Sequence, residues 1–497
     1  MLIRCSTSPE KRGVSSRALL RFLKKLNDKK IPMHSLLIAR GNDPILNAYW
    51  APFDNHTLHR QNSVTKSFVS LAIGLLEQEG KLSLDDKVIR FFPEAKEYNV
   101  PAEIEAQTIR DLLSMQTVYA PHGERHWVKY KDYDRIRDYF TDRVMKPRGT
   151  LFAYDSRASH ILGILAERLA GKPFLSYLKE KFLRKIGFSE ESTCIKDAIG
   201  YSWADSGLLC TTEDLFRVAK FIRDGGVFEG ERLMNEEYLR LATSRITSNC
   251  TSGNDAANNT YGYGYQIWHE KDGGFGFHGL GLQYMICIPK KDFILVCTAD
   301  TLGNDAARAI FLDMYEDFAD EALSDFPLPE DAEGYAALAS YAENLTLVSL
   351  DGKKTTATAQ RIQEKEILLS ENPMQIKRMR FAFSENEGEL IYENAQGEKR
   401  LPFGLCKNVF SHFPEDGYEN LQLGKSEPGY RHPCATSAAW QDENTLAIKS
   451  YMIGNHLGSV YMQISFNSKT ASVSMTKSAN YFLNEYEGMA IGELAND

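Results

Sequence analysis

No stretch of this 497-residue chain approaches the roughly 18 uninterrupted apolar residues of a membrane-spanning helix. The opening residues, MLIRCSTSPEKRGVSS, carry no apolar core of signal-peptide length. The expectation is therefore a cytoplasmic protein with no membrane partner. Basic runs are missing too: the net charge is −9 with acidic and basic residues interspersed, which argues against nucleic acid as a partner. Cysteine is sparse. Eight are scattered (Cys5, Cys194, Cys210, Cys250, Cys287, Cys297, Cys406, Cys434) with no CxxC pair, so they read as free thiols rather than zinc ligands or redox pairs. His122 and His126 in HGERH lie four apart, but the glutamate is misplaced for a zinc-protease helix. No metal and no cofactor is expected, and these histidines read instead as lining of a pocket. No short-period repeat is visible.

What is present is a soluble globular composition, 43% hydrophobic and 25% charged, at a length that predicts two domains. Residues 16–30 carry leucines and a phenylalanine at helical spacing, and MHSLLIARGN with PILNAYWAPF predicts a β-hairpin. TIRDLLSM reads as a short helix begun by Thr108 and Asp111. Residues 116–148 lack periodicity and form an irregular insert of the kind that borders sites. Two helices broken at Gly171-Lys172-Pro173 follow, then a helix capped by Thr211 or Thr212. NTYGYGYQIWHE, GFGFHGLGLQYMICIPKK and FILVCTADT read as consecutive antiparallel strands, and ARAIFLDMYEDFADEAL as a closing helix. This order predicts an α+β domain over residues 1–326 whose sheet is assembled from both ends of its sequence. From about residue 349, short alternating runs predict an all-β module, a sandwich or barrel, within a second domain at 327–497.

Three constellations could carry chemistry. The first is NSVTKSF, with Ser63 and Lys66 at the head of an apolar helix. Ser-x-x-Lys occurs four times in the chain (Ser8/Lys11, Ser63/Lys66, Ser176/Lys179, Ser474/Lys477), so spacing alone decides little. At a helix start, however, a serine sits at the positive end of the dipole with its N–H unpaired. A lysine one turn on is stacked over it, and burial disfavours a charged amine. Alone, the quartet reads as an N-cap serine with a snorkelling lysine, or as a nucleophile with its base. The second is Tyr154-Asp155-Ser156, where a phenol near a cation can shuttle protons. The third is GFHGLGLQY, with His278 among glycines 276, 279 and 281. A glycine in a strand marks a bulge or a close approach, and flanking N–H groups can serve an oxyanion. Taken singly, a strand histidine is as readily structural. Asp205-Ser206-Gly207 reads as a turn entering the following helix.

In this order the three constellations resemble the serine hydrolases of the penicillin-binding protein and class C β-lactamase type. The sequence is most similar to the branch of β-lactamase-related esterases, D-amino-acid peptidases and 6-aminohexanoate-dimer hydrolases. The resemblance covers roughly residues 35–320 and extends to TIRDLLSM, PRGTLFAYDSRASHILGILAERLAGKPFLSYL, DSGLLCTTEDLFRVAKFI and YGYGYQIW. It implies a β-lactamase/transpeptidase-like domain, an antiparallel sheet flanked by helices plus a helical subdomain. It implies Ser63 as acylated nucleophile, Lys66 as its base and Tyr154 as proton shuttle. Ser156 would occupy the Asn or Ser position of the second motif. The N–H of Ser63 and one on the strand near Gly281 would form the oxyanion hole, with Gly279 beside it.

His278 stands where such enzymes carry the lysine of Lys-Thr-Gly, and Ser156 replaces an asparagine amide, so β-lactamase activity is disfavoured. The expectation is a metal-independent serine hydrolase acting on a small ester, amide or D-amino-acid-containing peptide. The alternatives are a β-lactamase or D,D-peptidase, and a ligand-binding member of the fold without turnover.

Overall fold

The N-terminal amphipathic run forms helix α1 (Ser16–Asp28), burying Leu19, Phe22, Leu23 and Leu26 on one face. It leads into the antiparallel hairpin of β1 (Met33–Arg40) and β2 (Asp43–Tyr49). The computed structural model describes residues 7–119, 134–249, 261–420, 423–479 and 482–495. His122 and His126, and most of the segment around them, lie outside the described residues, as do Cys5 and Cys250. The six described cysteines are free.

Three further helices build the middle of the first unit: α2 (Val64–Gln78), α3 (Ser156–Ala170) and α4 (Thr212–Arg223). Every residue of α2 from Val64 to Leu76 is buried, which accounts for its apolar character on all sides. Helix α4 starts from a capping box in which Thr211 and Asp214 satisfy each other's backbone N–H groups, and Thr108 with Asp111 does the same for the short helix Ile109–Leu113. The chain then returns to the sheet through β3 (Trp268–His269), β4 (Phe275–Gly279), β5 (Gln283–Ile288) and β6 (Phe293–Ala299), and closes with α5 (Asp305–Glu321).

The strand order is β2-β1-β6-β5-β4-β3, so β1 and β6 from opposite ends of the unit pair at its centre. Leu36, Ile38, Tyr284, Ile286 and Leu295 pack on α1 and α5 on one face. Leu37, Ala39, Met285, Ile294 and Val296 pack against α2, α3 and α4 on the other. Burial on both faces explains why these strands are continuously apolar rather than alternating.

The chain divides into two units between Thr346 and Leu347. Helix α6 (Ala332–Glu343) lies past the boundary expected at 326/327, yet its Leu338 and Ala342 join the core that contains α1. The second unit is a barrel. Its strands are β7 (Ile367–Leu369), β8 (Arg378–Phe383), β9 (Glu387–Asn394), β10 (Gly397–Leu405), β11 (Val409–His412), β12 (Pro433–Trp440), β13 (Thr445–Ile453), β14 (Leu457–Phe466), β15 (Thr470–Ser478) and β16 (Gly488–Leu494). They run in the order β10-β9-β8-β7-β16-β15-β14-β13-β12-β11, and a β10–β12 pairing at Gly404/Ser437 and Leu405/Ala438 closes the ring. Inward residues such as Val460, Met462 and Ile464 alternate along β14 and fill the core. No helix among the described residues is long and apolar enough to cross a membrane.

One expected strand is not a strand. Among the described residues of NTYGYGYQIWHE, only Trp268–His269 pairs with β4. Gln266 has φ +56°, and Gly264 is pressed so closely on Ala242 that a Cβ would stand 2.0 Å from its carbonyl oxygen. The alternation of glycine and aromatic residues there serves close packing, not a ladder.

At the start of β1, His34 Nδ1 and His59 Nε2 are 2.6 Å apart, with His34 stacked on Phe53 at 3.9 Å. Burial pushes His59 down to about 4 and His34 well below its ordinary value. Both are neutral in the fold and bind protons only on unfolding, so their stabilisation is fully present above about pH 6.5 and is lost as pH falls towards their folded-state values. Urea midpoints should therefore fall between pH 7 and pH 5, each imidazole contributing on the order of 1–2 kcal/mol to the difference. His59→Gln should flatten that profile; a variant profile parallel to wild type would contradict this account.

Candidate active site

Ser63 occupies the N-cap position of α2 with φ −66° and ψ −8°. Its hydroxyl makes no capping bond, so the N-cap reading of this serine is not what the structure contains. The hydroxyl is turned instead to Lys66, whose Nζ donates to Ser63 Oγ at 2.8 Å and to the carbonyl oxygen of Asp205 at 2.7 Å. Lys66 is 1% exposed. An amine can be held at such depth because both contacts are hydrogen bonds. The other described pairs with this spacing are differently engaged. Lys179 donates to the carbonyls of Glu190 and Ser192, and Lys477 to the Phe482 carbonyl and to Asn484. Ser8 accepts from the backbone N–H of Lys11.

The loop that delivers Ser63 is fastened on both sides. His59–Arg60 pairs with Leu208–Cys210, and the Gln61 N–H donates to Leu208 O at 2.9 Å. Thr65 Oγ1 accepts from the N–H of Leu208 at 3.0 Å. These bonds bring the Asp205-Ser206-Gly207 turn over Lys66, and Arg60 Nε holds that turn by donating to Ser206 O at 2.7 Å. The turn is thus part of the lysine's setting, through a backbone carbonyl that no side-chain pattern could reveal. Asp205 itself is buried, with its carboxylate 3.7 Å from Arg135 Nη1.

Tyr154 lies just ahead of α3, with Lys66 Nζ 5.2 Å from its ring centroid. Asp155, not Ser156, caps α3 by accepting from the N–H of Arg157 at 3.0 Å, and Ser156 is the first helical residue. Buried Gln266 ties α2 to α3: its carbonyl accepts from Ser67 Oγ at 2.6 Å and its Oε1 from Ser159 Oγ at 2.6 Å. Its Nε2 donates to Leu112 O at 2.8 Å. This glutamine fixes the two helices that carry the three motif residues, and nothing in its sequence surroundings marks it.

His278 is on β4, but Gly281 is in the turn 280–282 with φ +84°, not on a strand. The turn is braced by Gln283 Nε2, which donates to Leu280 O at 3.1 Å and Ala299 O at 2.7 Å. Asn62 Nδ2 donates to the same Leu280 carbonyl at 2.8 Å, joining the residue before Ser63 to the turn. Gly279 has a clear reason: a Cβ there would stand 2.3 Å from the carbonyl oxygen of Gln61. The close approach expected from these glycines is that of the protein's own backbone. His278 Nε2 lies 2.6 Å from Glu270 Oε1, and the imidazole is stacked on Trp268 and Tyr284.

A helix start, a buried lysine on the serine hydroxyl, a tyrosine over the lysine and a turn pinned beside them form one assembly. The family model described as Beta-lactamase matches residues 19–314, more than half of the chain. The chain belongs to the β-lactamase family. This family of serine hydrolases includes a 6-aminohexanoate-dimer hydrolase of Paenarthrobacter ureafaciens, 26% identical over 281 residues that make up 53% of this chain and 71% of that relative. Protein flp of Staphylococcus aureus (strain MRSA252) is 28% identical over 190 residues, 34% of this chain and 38% of its own. Two solved structures share the fold. A Bacillus anthracis protein provisionally named a 6-aminohexanoate-dimer hydrolase has a TM-score of 0.50 at 19% identity, covering 62% of this chain and 84% of its own. A Bacteroides dorei DSM 17855 protein provisionally named a β-lactamase has a TM-score of 0.52 at 16% identity, covering 62% and 100%.

In this member of the β-lactamase family, Asn62 has φ +46° and carries the bond to the turn. Asn62→Ala should lower unfolding stability by about 1–2 kcal/mol, combining a lost hydrogen bond with left-handed backbone cost. Asn62→Gly should restore only the backbone part. Urea titration measures both, and an Asn62→Ala midpoint equal to wild type would rule out this role for the bond.

Proposed function

We propose that the protein is a serine hydrolase that works through an acyl-enzyme at Ser63 on a small ester, amide or D-amino-acid-containing peptide. The observation that carries this reading is the 2.8 Å contact between Lys66 Nζ and Ser63 Oγ at the head of a buried helix. Lys66 Nζ takes the Ser63 proton as Oγ attacks the substrate carbonyl carbon. The Asp205 carbonyl, 2.7 Å from Nζ, continues to accept from the amine and holds it beside the serine. Oxyanion charge develops against the Ser63 N–H at the positive end of α2 and an N–H of the turn around Gly281. Tyr154 passes a proton to the leaving group, the C–O or C–N bond breaks, and Ser63 is left acylated. Water then attacks the acyl carbon, Tyr154 takes its proton, and release of the acid restores Ser63 and Lys66. No step in this scheme calls on a metal or cofactor.

The β-lactamase and D,D-peptidase readings have less support. His278 stands in place of the lysine that would hold a substrate carboxylate, and its Nε2 is 2.6 Å from a glutamate. A binder without turnover is hard to reconcile with an intact Ser63, Lys66 and Tyr154. The name of the Paenarthrobacter relative makes short amides an early class to assay beside p-nitrophenyl esters.

A fluorophosphonate should label Ser63, as located by peptide mass spectrometry. Ser63→Ala and Lys66→Met should each lower kcat/KM on any turned-over ester or amide by about a thousandfold. Absence of label at Ser63, in a sample where another serine hydrolase reacts, would sink the reading.

A further inference from the structure

Tyr154 is the end of a column of rings. It is stacked on Trp268 with centroids 5.6 Å apart and planes at 25°. Trp268 is stacked on His278 at 5.4 Å and 14°, and His278 on Tyr284 at 4.3 Å and 12°. Arg308 Nε on α5 closes the far end by donating to the Tyr284 hydroxyl at 2.6 Å. The imidazole is therefore covered on both faces, and Glu270 Oε1 sits 2.6 Å from its Nε2 edge.

The strand register makes this arrangement. Trp268 and Glu270 are two residues apart, and Trp268 lies opposite Gly276 where β3 pairs with β4. Gly276 is two residues before His278, so these groups meet on one side of the sheet. A Cβ at Gly276 would stand 2.4 Å from Glu270 Oε1 and 2.8 Å from His278 Nε2. The glycine leaves the room in which carboxylate and imidazole meet. Glu270 is 3% exposed and His278 7%. A buried carboxylate packed against the imidazole edge restrains a ring that stacking alone would leave free to slide.

We propose that Glu270 and His278 are positioning residues that act on Tyr154 through Trp268. The carboxylate locks the imidazole, the imidazole locks the indole, and the indole holds the Tyr154 phenol in the orientation that its proton transfer needs. His278 then serves catalysis without touching substrate. This inference rests on the proposed role of Tyr154, and its test separates the two.

The experiment is a double-mutant cycle on a turned-over ester, with kcat and KM measured for wild type, His278→Ala, Tyr154→Phe and the double variant. His278→Ala should lower kcat at least tenfold with KM changed less than threefold. In the Tyr154→Phe background, where no hydroxyl remains to be positioned, the same change should cost less than twofold. Glu270→Ala should follow the same pattern, and it carries the cycle if His278→Ala does not fold. Glu270→Gln, which keeps the shape of the side chain against the imidazole without its charge, should fall between Glu270→Ala and wild type. Equal losses in both backgrounds would overturn the proposal while leaving Tyr154 in place. A raised KM at unchanged kcat would make His278 a substrate contact and overturn it too. A Tyr154→Phe variant with wild-type kcat would remove the Tyr154 assignment itself, and the proposal with it.

Discussion

Lys66 is an amine at the centre of an apolar core, and the first unit is arranged around keeping it there. An unpaired buried ammonium would be costly, and an unpaired neutral amine would still lack partners for its polar hydrogens. The fold supplies two: the Ser63 hydroxyl from one helical turn below and the Asp205 carbonyl from 139 residues along the chain. That second partner sets demands well beyond itself. The turn must be held by Arg60, the short three-stranded sheet of His59–Arg60, Thr193–Cys194 and Leu208–Cys210 must register, and α3 must stay fixed to α2 through Gln266. Each is an ordinary hydrogen bond. Together they convert a common sequence spacing into a serine hydroxyl held against a buried lysine.

The sheet contributes rigidity of another kind. Its pairing of β1 with β6 buries both faces under helices, so the β4–β5 turn projects from a platform with no solvent-facing side to relax into. Gln283 and Asn62 grip the same carbonyl, that of Leu280, from the sheet and from the loop before Ser63. Donors at the turn and at the helix start are thereby held in one frame, the requirement for preorganised stabilisation of charge that appears only during a reaction. The ring column through Trp268 and His278 extends the same frame to Tyr154.

What could be read from the sequence was whatever local periodicity encodes. The amphipathic α1, the apolar α2, the capping boxes at Thr108 and Thr211, and the alternating strands of the barrel all carry their signal within a dozen residues. The motif residues Ser63, Lys66 and Tyr154 were likewise found by local pattern and resemblance, and the structure brings them together. The rest lay in meetings between distant segments. Asp205 acts through its backbone, so its side chain advertises nothing. Gln266, Gln283 and Glu270 look like surface residues in a linear reading, because only the fold supplies their partners. The alternation of glycine and tyrosine over 261–267 predicts a strand, whereas it reflects tight packing against Ala242. The glycines around His278 suggest a close approach, and Gln61 and Glu270 make it.

The central claim is that one helix start and one turn present a nucleophile and its oxyanion donors in fixed relation. The most direct measurement is a crystal structure of the protein after reaction with a small methylphosphonate ester, whose tetrahedral phosphorus mimics the reaction intermediate. The account predicts phosphorus bonded to Ser63 Oγ, with one phosphoryl oxygen within hydrogen-bonding distance of both the Ser63 and Gly281 N–H groups. It also predicts that Lys66 Nζ keeps its bond to the Asp205 carbonyl. An adduct on another residue, or a phosphoryl oxygen on Ser63 that turns away from both N–H groups, would contradict it.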